Sequence, residues 1–150
     1  MGWLDPGMDL HLPDGYEIST DPTRLDVALI HRWLSLDAYW ALGRPREKLD
    51  AAIAGSLNFG VYDTASGAQV GYARVVTDGA TFGWLCDVYI APAVRGKGLG
   101  TALAAHIRDH FAPAGLRRLM LATADAHAVY ARVGFEPVAA TDTWMVLGEQ

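Results

Sequence analysis

Val88-Tyr89-Ile90-Ala91-Pro92-Ala93-Val94-Arg95-Gly96-Lys97-Gly98-Leu99-Gly100-Thr101-Ala102-Leu103 is the stretch that decides how this chain folds. An apolar run reaches Pro92, and glycines follow at the alternate positions 96, 98 and 100. Leu99, Leu103, Ile107 and Phe111 then recur at i+4 spacing, which marks one face of a helix. The order is therefore strand, glycine-rich loop, helix. Glycine adopts backbone conformations closed to other residues and lets a ligand approach where a Cβ would block it. The first amides of a helix lack intrahelical acceptors, and the positive end of the helix dipole lies behind them. Such a loop is built to take a phosphate or pyrophosphate. Arg95 and Lys97 add side-chain charge to it.

Two familiar phosphate loops are excluded by spacing. A P-loop requires Gly-Lys followed by Ser or Thr, and Lys97 is followed by Gly98. The dinucleotide fingerprint requires GxGxxG and an acidic residue at the end of the next strand; here the glycines run GxGxG and that position lies near Ala122. The spacing thus disfavours a nicotinamide or flavin enzyme.

Outward from the loop, the chain reads as an α+β (α/β) domain. Tyr16–Thr20 is a first strand, and Asp21-Pro22 opens a helix through Leu25, Leu29, Ile30 and Trp33. Leu36–Gly43 is a turn or helix end, and Pro45 starts a helix running to about Gly55. Leu57–Asp63 and Ala68–Thr77 flank a Ser66-Gly67 turn, and Asp78-Gly79 turns the chain into a strand from Thr81 to Ile90. That strand has Phe82, Trp84, Cys86, Val88 and Ile90 on one face and Leu85 and Tyr89 on the other, as expected of a strand covered on both sides. Beyond the long helix, Leu116–Ala122 is a strand and Asp125–Arg132 a short helix ended by Gly134. Val138–Leu147 is expected to supply one or two closing strands. The sum is a mixed, mostly antiparallel sheet flanked by helices.

Composition agrees with one soluble domain. The chain has 150 residues, 51% of them hydrophobic and 19% charged. Residues 1–14, rich in Gly, Pro and Asp, read as a loosely held leader, and 15–150 as the domain. No run approaches the roughly 20 apolar residues of a membrane span, and the N-terminus lacks the pattern of a signal peptide. The single Cys86 allows no internal disulfide and fits a cytoplasmic location. Twelve Lys and Arg against 17 Asp and Glu give a net charge of −5, which argues against nucleic acid as a partner and favours a cationic or neutral small substrate.

The loop resembles the acetyl-CoA loop of the GNAT acetyltransferases, (Gln/Arg)-x-x-Gly-x-(Gly/Ala), with Arg95, Gly98 and Gly100 in register. Ala122–Pro137 resembles the family's second motif: Ala126, Tyr130, Gly134 and Phe135 fall where that pattern places them. The two motifs together cover residues 82–137. The resemblance implies a GNAT fold and an acyltransferase that moves the acetyl group of acetyl-CoA to a primary amine. It implies that backbone amides of Arg95, Gly96, Lys97, Gly98, Leu99, Gly100 and Thr101 hold the pyrophosphate. The backbone of Val88 and Ile90 would pair with the pantetheine arm. Thr123 stands where many relatives carry Asn, and His127 is the candidate substitute. Homodimers are common in the family, and one is expected here on that ground alone.

Tyr130 has a chemical reason for its place. When an amine attacks the thioester, coenzyme A leaves as a thiolate and needs a proton; a tyrosine of pKa about 10 carries one at neutral pH. Asp87, a carboxylate inside an apolar strand, must be compensated by something. It reads as the base, as the anchor of a cationic acceptor, or as half of a salt bridge with Arg74 or Arg118. In the segment before Pro45, Tyr39 and Trp40 can wall the acceptor and Arg44 can bind an acceptor carboxylate, alongside a capping role for Gly43. His106 and His110 share a helix face at i,i+4 but have no third ligand, so no metal is expected. Cys86 reads as core. The rival to an enzyme is an acyl-CoA-binding sensory domain on the same fold. The acyl chain and the identity of the amine stay open.

Overall fold

The computed structural model describes residues 10–149. Five strands, β1 (Tyr16–Ser19), β2 (Leu57–Asp63), β3 (Gln69–Thr77), β4 (Phe82–Ile90) and β5 (Arg118–Met120), form one sheet in chain order. The first four are antiparallel, and β5 runs parallel to β4. Helices α1 (Val27–Leu36) and α2 (Arg46–Ala54) cover one face, around Ile30, Leu34, Leu49, Tyr72 and Tyr89. Helix α3 (Leu99–Phe111) covers the other through Leu99, Leu103, Ile107 and Phe111, packed on Phe59, Val61, Val75 and Leu85. The short α4 (His127–Arg132) follows, and Val133 beyond it packs on Ala104 and Ala105 of α3.

The i+4 stripe of α3 is therefore the seam of the main core. Leu103 and Ile107 are fully buried, each contributing about 1.5–3 kcal/mol of apolar burial. Truncating either to alanine would cost about 2–5 kcal/mol. The turns follow local chemistry. Gly67 and Gly79 take φ of 74° and 75°, and the Asp78 carboxylate accepts the amides of Ala80 and Thr81.

The structure departs from the sequence reading in four places. The helix expected from Asp21 is divided: Pro22–Arg24 is a 3-10 turn, Leu25 is extended, and α1 starts after Asp26, whose carboxylate caps the Leu29 amide. Val138–Leu147 forms no strand. Thr141–Thr143 is a 3-10 turn, Met145 and Leu147 stand fully in solvent, and β5 ends at Met120, so its edge offers a closing strand little to pair with. Of the expected leader, residues 1–9 lie outside the described residues, whereas Leu10 packs against the Ala104–Ala105–Val133 group and Leu12 against the main core.

The fourth departure positions the site. Tyr72 pairs with Tyr89 but Arg74 with Cys86, so two steps along β3 face three along β4. Asp87 sits in this bulge at φ 53°, left-handed backbone that Asp tolerates better than most residues. One extra residue reverses the alternation of faces. Leu85 accordingly points to α3 and Tyr89 to α1 and α2, although four positions apart they were expected on one face.

Candidate active site

The sheet opens where the bulge begins. β4 and β5 pair only from Phe82–Arg118 to Trp84–Met120. Beyond that point, among the described residues, no strand pairs with β4 on the β5 side. A cavity of about 430 Å³ fills the wedge, between Trp84–Val88 on one side and Leu121–Ala126 on the other. Tyr39, Trp40, Arg44, Arg74 and Tyr130 complete its wall. Five residues singled out in the sequence thus meet here: Tyr39, Trp40, Arg44, Asp87 and Tyr130, with Val88 at the strand edge.

Asp87 is at the centre of the wall, 3% exposed. Its Oδ2 accepts from Arg44 Nη1 and Arg74 Nε, each at 2.6 Å, and its Oδ1 from Trp40 Nε1 at 2.9 Å. Burial alone would raise its pKa, but the hydrogen bonds and charges of the two arginines outweigh it and hold the carboxyl below its ordinary value. A carboxylate so held is a poor proton acceptor. Of the readings offered for Asp87, the ion pair with Arg74 is present in the structure, with Arg44 rather than Arg118 as the second partner. Arg118 instead lies 5.5 Å over the Trp144 ring. Asp87 ties the linker that carries Trp40 and Arg44 to the sheet.

Tyr130 projects from α4 into the same cavity. Burial pushes its phenol up to about 12, with smaller contributions from Tyr39 and Asp125. Its ring meets Phe135 edge to face at 5.8 Å. Its hydroxyl has no hydrogen-bond partner among the described residues, and it stays protonated across the neutral range. Tyr39 bridges the wedge by accepting the Ala124 amide at 3.0 Å, and packs edge to face on Trp40. Cys86 also lines the cavity, and burial pushes its thiol up to about 11, which makes it a poor nucleophile at neutral pH.

The glycine loop lies at the N-terminus of α3. Gly96 and Gly98 take φ of 81° and 82°, and a Cβ at either would point into open space. Gly98 occupies the cap position with no side-chain cap, and the first α3 bond is Ala102 N to Gly98 O. The amides of Leu99, Gly100 and Thr101 are thus free of intrahelical acceptors. Leu99 turns its side chain into the core, so it can offer only backbone. A second cavity of about 170 Å³ lies here, lined by Lys97, Gly98, Thr101 and Arg132 together with Leu10, His11 and Ala102.

The side chains of the loop do less than the sequence implied. Arg95 turns back, donating through Nε to the Ile90 carbonyl at 2.8 Å and through Nη2 to Asp37 at 3.4 Å. Lys97 reaches the Tyr16 hydroxyl at 3.3 Å. Ile90 packs on the main core, and His127 opens α4 exposed to solvent, lining neither cavity. Sequence reasoning missed Trp84, Asp125 and Arg132 as site residues. Asp125 and Arg132 flank Tyr130 within the second motif, which was a usable signal; Trp84 is brought in by the sheet, as is Arg74, which the sequence had offered only as a salt-bridge partner of Asp87.

The profile of the Acetyltransferase (GNAT) family matches residues 27–135. The putative acetyltransferase FG08082 of Gibberella zeae is 37% identical over 128 residues, 73% of this chain and 72% of that protein. The crystal structure of a putative GNAT-family acetyltransferase from Xanthomonas campestris superposes with a TM-score of 0.83 at 43% identity, covering 89% of this chain and 93% of that one. A structure of a predicted acetyltransferase with acetyl-CoA from Clostridium acetobutylicum shares the fold, with a TM-score of 0.65 at 16% identity over 89% of this chain and 94% of that one.

Proposed function

The chain belongs to the GNAT acetyltransferase family, and from that premise we propose that it is an N-acetyltransferase carrying the acetyl group of acetyl-CoA directly to the primary amine of a small molecule. The observation that carries this reading is the joining of two features by one strand: β4 ends in the glycine loop and also forms a wall of the wedge into which Tyr130 projects. The loop fits a pyrophosphate. Its free amides and the α3 dipole face a small cavity bearing Lys97 and Arg132, and the positive φ of Gly96 and Gly98 leaves that approach clear of Cβ atoms. The unpaired edge of β4 at Val88 suits the amide-bearing pantetheine arm, which would lie there as an added strand.

The chemistry is a direct transfer. The free amine nitrogen bonds to the thioester carbonyl carbon and the C–S bond breaks. The electron pair of that bond goes to sulfur, which takes the Tyr130 proton. The proton lost by the amine restores the phenol, so the products are an amide and coenzyme A thiol. Asp125, at the Tyr130 end of the cavity, is placed to receive the proton of an incoming ammonium directly or through water. Asp87 holds Trp40 and Arg44 in place and takes no proton.

The test is coenzyme A release from acetyl-CoA over a panel of primary amines, with mass spectrometry of the acetylated product. Release that depends on an amine supports transfer. Tight binding of acetyl-CoA with no release from any amine would instead favour an acyl-CoA-binding sensory domain.

A further inference from the structure

The charges of the wedge are sorted by position. Arg44 and Arg74 converge on the single carboxylate of Asp87, so this end holds two positive charges against one negative. All three side chains are withdrawn from water: 18% and 14% exposed for the arginines and 1% for the aspartate. A surplus positive charge in such surroundings is unfavourable unless an anion joins it. Arg74 also donates from Nη1 to Ser56 Oγ at 3.2 Å, which leaves its Nη2. Arg44 keeps Nε and Nη2. These donors have no partner among the described residues, and guanidinium forks match a carboxylate.

The other end carries the opposite sign. Asp125 stands beside Tyr130, close enough to bear on its titration. Trp40, which donates to Asp87, and Trp84 also line the cavity, 43% and 36% exposed, large aromatic surface left uncovered. A diamine or polyamine would set a cation against the arginine pair. A zwitterion matches both ends.

We infer that the acceptor is an amino-acid-type molecule, whose carboxylate is held by Arg44 and Arg74 while its amine lies toward Asp125 and Tyr130. Its side chain rests on Trp40 and Trp84, which favours apolar and aromatic amino acids. The bonds made and broken are those of the transfer above, on which this inference rests. An apolar amino acid is a zwitterion of no net charge near neutrality, and so stays within the cationic or neutral substrates expected from the acidic composition.

The experiment compares amino acids with their decarboxylated counterparts, such as phenylalanine with phenethylamine and leucine with isoamylamine. Coenzyme A release is measured at saturating acetyl-CoA and at a pH that leaves each pair comparably protonated. The amino acid should exceed its partner in kcat/KM by roughly 10- to 100-fold, the worth of a charge-assisted contact. Arg44→Gln should erase most of that preference, bringing kcat/KM for phenylalanine down toward that of phenethylamine by raising KM for the amino acid. Arg44→Lys, which keeps the charge on Asp87, should restore part of it and guards against a folding defect. Decarboxylated amines acetylated as well as amino acids would overturn the inference and leave acetyl transfer standing. No release from either series, despite an acetyl-CoA melting shift, would overturn the transfer reading and the inference with it.

Discussion

Replacing Tyr130 by phenylalanine removes one hydroxyl and leaves the ring against Phe135 at 5.8 Å. Because that hydroxyl has no intramolecular partner among the described residues, the stability change should stay within about 0.5 kcal/mol. The effect on rate should be far larger. A phenol raised to about 12 is at first sight a poor donor to a thiolate of ordinary pKa about 8.5. The cavity narrows that gap. Burial in the same wedge pushes the Cys86 thiol up, and a sulfur departing there would likewise be a stronger proton acceptor than in water. Losing the donor should lower kcat by about 10²–10⁴-fold, equivalent to roughly 3–5 kcal/mol in the barrier. KM for acetyl-CoA and the melting temperature should barely move, since the contact matters in the transition state. The pH profile supplies a second reading. An ordinary tyrosine would be half ionised at pH 10, whereas one at about 12 is roughly 1% ionised, so kcat should show no basic limb from Tyr130 below pH 10. Stopped-flow or quenched-flow turnover with chemistry rate-limiting is the assay. A Tyr130→Phe enzyme within a few-fold of the parent would refute the assignment.

Asp87→Asn leaves two partly buried arginines without their counter-charge and should cost about 3–5 kcal/mol, or roughly 6–20 °C in melting temperature. Because the folded pKa of Asp87 is lowered, its stabilisation is complete above the unfolded value of about 3.9 and is lost as pH falls through the lower folded value. The gap between parent and mutant in urea denaturation should therefore hold to about pH 4 and close below it; a gap that closes near neutrality would contradict the ion pair. Gly98→Asp should fold, since the new Cβ meets nothing within 4 Å and Asp tolerates left-handed backbone, yet it should lose the acetyl-CoA melting shift. A retained shift in that variant would place the pyrophosphate elsewhere. Cys86, with its thiol at about 11, holds roughly one thiolate in several thousand molecules at pH 7.5, so Cys86→Ala should keep kcat within a few-fold. A collapse of turnover with the fold intact, seen by circular dichroism, would give the thiol a chemical role.

What local pattern encodes was legible in the sequence. The i+4 stripe from Leu99 to Phe111 matches α3 end to end, because a helix face is written in residues a few positions apart. The glycines at 96, 98 and 100 marked the loop that opens this helix for the same reason, and the second motif put Tyr130 on a short helix, where the structure has it. Capping was the weaker signal: two aspartates precede α1, and only the structure shows that Asp26 caps the helix. Strand-like composition at Val138–Leu147 did not make a strand, since a strand exists only when another edge pairs with it. The chemistry of the wedge depended most on tertiary structure. Asp87 meets Arg74 from 13 residues away and Arg44 from 43. The sequence showed a buried carboxylate in need of a partner, but the arginines on offer differed only in where the sheet would carry them. The bulge that turns Asp87 toward them reverses the faces of β4, and no alternation of residue types announces a backbone φ of 53°. Local periodicity specifies elements; the sign of a pocket's charge is the sum of groups that only the fold brings together.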